Sequence, residues 1–156
     1  MKLTAALSAA MLTCAASVAS AQSLDLGVTT DYDTGGVGLV AEYHGAPAFS
    51  SGNWSGAWGA AGRADADGDA WFGAGFALNY DLSETLFVEA SFMPGYYVEG
   101  DTVLGGNLHF RSLLGLGWNV SDRGAMILSI DHLSNGGLDD VNPGSEAIAL
   151  RYRLRF

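Results

Sequence analysis

Cysteine, lysine and long apolar runs are what this sequence has least of. Among its 156 residues the one cysteine is Cys14 and the one lysine is Lys2. The chain after residue 21 has no cysteine, which excludes disulfides, a thiol nucleophile and cysteine-based metal sites there. No segment after residue 21 approaches the roughly 18 consecutive apolar residues that a transmembrane helix needs.

The first residues have the pattern of a secretory signal peptide. Lys2 supplies a positive charge, a run of apolar and small residues follows, and the small residues at 19–21 fit the cleavage rule. We therefore expect residues 1–21 to be a signal peptide and residues 22–156 to form one exported domain.

The charge balance is strongly acidic. The chain has 17 Asp and Glu against 7 Lys and Arg, for a formal net charge of −10. This balance argues against nucleic acid as a partner, because a phosphate backbone binds basic surfaces. The acidic run Asp65, Asp67 and Asp69 lacks the glycine and glutamate spacing of a calcium loop. We expect neither a metal ion nor a cofactor.

Apolar residues after position 22 recur at every second position, which is the period of a β-strand. Eight such segments are predicted, near 23–31, 36–45, 53–63, 70–80, 86–97, 105–118, 125–134 and 146–156. Each is close to the ~9–11 residues with which a tilted strand crosses a bilayer. The sequence therefore predicts an all-β fold, an eight-stranded antiparallel transmembrane β-barrel of the bacterial outer membrane.

The faces and ends of the predicted barrel differ in composition. Four arginines alternate with the apolar residues of their strands and are therefore expected inside, paired with Glu42, Glu89 or neighbouring acids. They are Arg111, Arg151, Arg153 and Arg155. Acids gather at one rim: Asp31, Asp33, Asp65, Asp67, Asp69, Glu99, Asp101, Asp139 and Asp140. Aromatic girdles are expected from Trp54, Trp58, Trp71, Tyr80, Tyr96 and Trp118. The final Phe156 resembles the C-terminal signature of outer-membrane barrels.

A soluble eight-stranded barrel of the lipocalin type is the alternative fold. It would turn its apolar face inward and expose Arg151, Arg153 and Arg155 to water. Periodicity does not exclude this inversion, whereas the terminal Phe156, the 22 glycines and the short turns favour the membrane form.

Three side chains near the C-terminus are candidates for nucleophilic catalysis. His132 and Ser134 share one face of strand seven, and Glu146 begins strand eight roughly opposite them. A histidine can take the proton of a serine hydroxyl, and a carboxylate can orient the imidazole and stabilise the imidazolium. We expect the three groups to meet on the lipid-facing side of the barrel, near the acidic rim.

The loop between these two strands offers donors for an oxyanion. The candidates are the side chains of Asn135 and Asn142 and the backbone amides of Gly136 and Gly137.

This segment resembles the lipid A 3-O-deacylase (PagL-like) family of outer-membrane β-barrel enzymes. The resemblance lies in His132-x-Ser134-Asn135, Asn142-Pro143-Gly144 and Glu146. It implies hydrolysis of the ester that holds the 3-hydroxyacyl chain at position 3 of lipid A, with lipopolysaccharide as substrate and outer-membrane lipids as surroundings. The implied roles are Ser134 as nucleophile, His132 as base, Glu146 as third member, and Asn142 and Gly137 in the oxyanion hole.

A non-enzymatic outer-membrane barrel, serving adhesion or envelope integrity, is the alternative function. It predicts that His132, Ser134 and Glu146 can be replaced together without consequence.

Overall fold

A computed structural model describes residues 22–32 and 35–156 as a closed barrel of eight antiparallel strands. Each strand pairs with the next in sequence, and the last pairs with the first to close the barrel. The strands are β1 Ser23–Asp31, β2 Val37–Ser51, β3 Trp54–Asp65, β4 Ala70–Asp81, β5 Leu86–Val98, β6 Leu108–Asn119, β7 Gly124–Ser134 and β8 Ser145–Arg155. The predicted number, order and fold class are confirmed.

Two strands differ from their predicted bounds by three residues or more. β2 continues to Ser51 through register shifts on both sides of Pro47, where the alternation breaks down. β6 begins at Leu108 and not near 105. The signal peptide expected at residues 1–21 and the acid Asp33 lie outside the described residues.

The barrel is apolar outside and charged inside. Leu39 is 68% exposed, Trp58 66% and Leu114 61%, and each faces outward. Within residues 22–32 and 35–156 there is no helix of the length and apolarity that crossing a membrane requires. Because the apolar residues lie on the outer surface, the structure has the arrangement opposite to that of the soluble lipocalin-type alternative.

Ion pairs fill the interior at the middle of the barrel. Arg111 Nη1 lies 2.8 Å from Glu42 Oε2, and Arg151 Nη1 lies 3.0 Å from Asp25 Oδ2. Arg153 contacts Asp25 at 2.7 Å and Glu89 at 2.6 Å. These pairs confirm the predicted interior position of Arg111, Arg151 and Arg153 and their acidic partners.

Two sequence expectations about the faces need correction. Arg155 is half-buried near the strand end and donates to Asn119 Oδ1 at 2.7 Å, without a contact to Glu42 or Glu89. Trp71 was expected in an aromatic girdle, but it is 2% exposed and packs inside the barrel, with the Arg111 guanidinium over its ring. The parity of β4 explains this, because Phe72 next to it faces outward.

The two ends of the barrel have different connections. The short-turn end carries the start of β1, the end of β8 and the turns 52–53, 82–85 and 120–123. The long-loop end carries the loops 66–69, 99–107 and 135–144. An interior cavity of about 600 Å³ opens at the short-turn end, beside His44 and Arg153. Side chains therefore fill the lumen toward the long-loop end, but not the part near the short turns.

Candidate active site

His132 and Glu146 face each other on the outside of the barrel at the long-loop end. They are directly paired residues of β7 and β8, and His132 Nδ1 lies 2.8 Å from Glu146 Oε1. Their side chains are 48% and 43% exposed. With Nδ1 as the donor to the carboxylate, the other ring nitrogen, Nε2, is the acceptor that can take a proton. The predicted base and its orienting acid are thus in contact.

Ser134 lies on the same outer face, two residues after His132 in β7. It is half-buried and pairs with Phe110 of β6. Residues two apart in a strand are about 7 Å apart at Cα, so their side chains are neighbours. In the described part of the chain no hydrogen bond joins the Ser134 hydroxyl to the imidazole. Such contacts are often long in structures without substrate and tighten when it binds.

A second serine lies next to His132 and was not singled out from the sequence. Ser112 of β6 pairs directly with His132 and is exposed on the outer face. Directly opposed side chains in an antiparallel pair have Cβ atoms about 5 Å apart. The alternation of β6 had placed Ser112 outside, but the β6–β7 register was needed to bring it to His132. Two outward serines therefore flank the imidazole.

Asn135 anchors the loop that follows Ser134. Its side chain is 1% exposed, and its amide nitrogen donates to the carbonyls of Val141 at 2.7 Å and Gly105 at 2.9 Å. These bonds tie the 135–144 loop to the 99–107 loop. Since its donors are used in this way, Asn135 supports the site as a scaffold and does not supply an oxyanion donor in this conformation.

The two predicted oxyanion donors differ in availability. Asn142 Oδ1 accepts a hydrogen bond of 3.0 Å from the amide of Asn135, the residue after Ser134. The Asn142 carboxamide is thereby held at the residue that follows Ser134, and its nitrogen remains a donor. The amide of Gly137 donates to Asn135 Oδ1 at 2.9 Å. An oxyanion role for Gly137 therefore requires that bond to open.

Gly144 is a further residue of the site that the sequence motif contained without a role. It has a φ of 78°, and a Cβ built on it would lie 2.9 Å from His132 Cε1. The absence of a side chain at this position leaves room for the imidazole. Its place in Asn142-Pro143-Gly144, a turn-like sequence, was the available signal.

The acidic loops at this end are joined by Asp69. The Tyr97 hydroxyl and the amides of Gly100 and Thr102 donate to its carboxylate at 2.6, 2.6 and 3.2 Å. Burial by itself would raise the pKa of Asp69, but the hydrogen bonds from Thr102, Tyr97 and Gly100 outweigh it, so the pKa is lowered. The ionised carboxylate thus holds the 66–69 and 99–107 loops together.

One interior group has the composition of a metal site. Among the described residues, Asp25, His44 and Glu89 offer ligand atoms within 4.8 Å of one another. Arg153 already contacts both carboxylates, at 2.7 and 2.6 Å. A metal ion would have to displace this guanidinium, so the group is better suited to holding the arginine.

Comparison with known proteins shows a matching family model and a named relative. A family model described as lipid A 3-O-deacylase (PagL) matches residues 24–155. A protein of Bordetella bronchiseptica named lipid A deacylase PagL is 28% identical over 86 residues, which are 55% of this chain and 44% of that protein. The aligned part thus spans less than half of that relative.

Solved structures share the fold, among them those of PagL and Ail. A crystal structure of the outer membrane enzyme PagL superposes with a TM-score of 0.71 at 19% identity, covering 86% of this chain and 99% of that one. The crystal structure of Ail, the attachment invasion locus protein of Yersinia pestis, gives 0.58 at 11% identity, covering 88% and 99%. At such identities these matches establish the barrel architecture alone.

Proposed function

This chain belongs to the lipid A 3-O-deacylase (PagL) family, and from that premise we propose that it hydrolyses the ester holding the 3-hydroxyacyl chain at position 3 of lipid A. The observation that carries the proposal is the His132–Glu146 hydrogen bond of 2.8 Å on the outer, apolar face. A partly exposed ionisable pair on such a face costs free energy, because hydrocarbon solvates charge poorly. A catalytic role accounts for its being there.

The proposed reaction is a serine esterase cycle. Ser134 Oγ attacks the ester carbonyl carbon while His132 Nε2 takes its proton. Glu146 stabilises the imidazolium, and the Asn142 amide nitrogen donates to the oxyanion. The tetrahedral intermediate collapses, the C–O bond to the sugar breaks, and the sugar oxygen takes the proton from His132. Water, activated by His132, then hydrolyses the acyl-serine and releases a 3-hydroxy fatty acid.

The position of the pair suits this substrate. The ester lies at the boundary between sugar and acyl chains, and His132 and Glu146 lie near the ends of their strands, beside the long loops. We place the barrel in the outer membrane with the long-loop end toward the outer leaflet, after export and removal of residues 1–21. The apolar outer surface then faces lipid tails.

Replacement of each flanking serine tests the proposal. Lipopolysaccharide is incubated with the wild-type chain, Ser134→Ala or Ser112→Ala in detergent micelles, and lipid A is analysed by mass spectrometry. Wild type and Ser112→Ala should release one 3-hydroxyacyl chain, while Ser134→Ala should lose activity by about 10⁴-fold or more. Full activity of Ser134→Ala would reject it as the nucleophile, and loss of activity in Ser112→Ala alone would transfer that role.

A non-enzymatic surface barrel is distinguished by the same experiment. The likeness to Ail concerns the barrel architecture and not the residues of this site. If the wild-type chain releases no acyl chain from any lipopolysaccharide tested, the enzymatic proposal fails and the non-enzymatic function becomes the better one.

A further inference from the structure

Arg63 reaches across the barrel lumen to the inner side of the candidate site. It belongs to β3, which is not a neighbour of β7 or β8 in the barrel. Its side chain is 8% exposed, so its guanidinium is buried inside. Its Nη1 lies 3.7 Å from Asp131 Oδ1, and its Nη2 donates to Ser145 Oγ at 3.2 Å.

These two contacts fall on the inward neighbours of the outer pair. Asp131 immediately precedes His132 in β7, and Ser145 immediately precedes Glu146 in β8. Since successive side chains of a strand face opposite sides, Asp131 and Ser145 point inward where His132 and Glu146 point outward. One guanidinium therefore contacts both strands directly behind the pair, through a hydrogen bond to Ser145 and an ion pair with Asp131. Asp131 also accepts a hydrogen bond of 3.3 Å from Arg111 Nη2, whereas Arg63 is the basic residue that contacts Asp131 and Ser145 together.

The strands need such support at this position. The ladder between β7 and β8 ends at Leu133 and Ser145, one pair beyond His132 and Glu146. Hydrogen bonds at the end of a ladder open more easily than those in its middle. Ser145 Oγ also donates to Asp31 Oδ2 at 2.5 Å, which ties β8 to the end of β1. Arg63 Nε lies 3.1 Å from Asp65 Oδ2, which fixes its own position.

We propose that Arg63 is a positioning residue for the reaction: from inside the lumen it holds β7 and β8 so that His132 and Glu146 stay in hydrogen-bond contact outside. The inference rests on the proposed serine esterase function. The inference applies to Arg63 and not to Arg153. Arg153 is also buried and contacts two acids, but its strand partner is Ala125, toward the other end of β7.

The experiment compares Arg63→Met, Arg63→Lys and Arg153→Met in the full chain. Release of 3-hydroxy fatty acid from lipopolysaccharide micelles gives kcat and KM, and heat-modifiable gel mobility reports folding. Arg63→Met should lower kcat about tenfold and change KM by less than about twofold, because a small misplacement of catalytic groups acts on the chemical step. Arg63→Lys should recover part of the loss, since it keeps the charge but not the two-nitrogen fork. Arg153→Met should keep kcat within about twofold for the folded protein.

A second background separates positioning from general disturbance. If Arg63 acts through the His132–Glu146 contact, Arg63→Met should lower activity by less than about twofold when Glu146 is already alanine. The rate at which a fluorophosphonate labels Ser134, followed by intact mass, gives the same comparison for slow variants. An equal loss in both backgrounds, or a kcat of Arg63→Met within twofold of wild type, would overturn the inference.

Two further variants keep the outcome decidable. Should Arg63→Met not fold, Ser145→Ala removes the acceptor at 3.2 Å with little change in volume and should lower kcat about threefold, a loss in the range of one hydrogen bond. No change in kcat there would count against the inference. Ser134→Ala distinguishes the two levels: if it stays active, the proposed mechanism fails, whereas an inactive Ser134→Ala with a fully active Arg63→Met overturns the role of Arg63 alone.

Discussion

Ionic groups on the outer face and in the interior of this barrel are arranged in different ways. Inside, Asp25, Glu42 and Glu89 each contact more than one basic side chain, and Asp25 and Glu42 are at most 1% exposed. Outside, His132 and Glu146 meet at 2.8 Å with nearly half of each side chain exposed. The interior network has overlapping contacts that stabilise the closed barrel, whereas the outer pair leaves a ring nitrogen facing the surroundings.

This difference separates structural charges from chemical ones. A buried acid with several cationic partners keeps only part of its stabilisation when one of them is lost, because the remaining partners compensate its charge incompletely. A catalytic imidazole needs one fixed partner on Nδ1 and an accessible Nε2. The outer pair has the arrangement that a catalytic imidazole needs, whereas the interior network has the shared contacts that stabilise buried acids. Changes in the two regions should therefore affect different measurements.

The largest expected effect is on activity, from Glu146→Gln. Glutamine cannot stabilise the imidazolium and favours the wrong tautomer, so kcat should fall about 10³- to 10⁴-fold. The free energy of unfolding should change by less than about 0.5 kcal/mol, as for other exposed substitutions. Glu89→Gln is the interior control and should do the reverse. Equal losses of activity in both variants would remove the distinction between the two regions.

Arg153→Met should give the next largest effect, on stability. Its removal leaves Asp25 and Glu89 to Arg151 and His44, and an undercompensated buried charge costs about 3 kcal/mol. Urea unfolding in detergent micelles, followed by tryptophan fluorescence, measures the change. Unfolding at the wild-type urea concentration would show that the interior contacts are redundant to a greater degree than their geometry indicates.

Gly144→Ala should have the smallest effect and sharpens the boundary of the outer region. The new Cβ would lie 2.9 Å from His132 Cε1, so the ring must shift, and we expect kcat to fall about tenfold. Gly52→Ala is the matched control, because Gly52 also has a positive φ but no atom within 4 Å of its Cβ position. Both should lose about 1 kcal/mol of stability from backbone strain. An equal kcat in the two variants would exclude Gly144 from the site.

Much of the fold could be predicted because the alternation of a strand is a local property. The parity of β8 predicted that Arg151 and Arg153 lie inside and that Glu146 lies outside. The prediction was wrong where the alternation stops, as in β2, which continues around Pro47 through two register shifts. The prediction for Trp71 was wrong for another reason: Trp71 lies near the start of β4, where a girdle aromatic is expected, but its parity places it inside the barrel.

The candidate site was only partly predictable. The sequence predicted that His132, Ser134 and Glu146 lie on one face near one end, but parity does not determine which residues of two strands are paired. The register shows that Ser112 is a second serine beside His132. It also shows that the Asn135 side chain is used within the loops.

By itself, the sequence determined the strand count, the two faces of each strand wherever the alternation is unbroken, and the residue types that meet near the acidic rim, since these depend on neighbours along the chain. Tertiary structure decided which partners meet: Glu146 with His132 across one ladder, and Arg63 with Asp131 and Ser145 across the lumen. The reason is physical. Closing a barrel sets one register for all the strands at once, and that register brings residues 82 positions apart, such as Arg63 and Ser145, into hydrogen-bond contact.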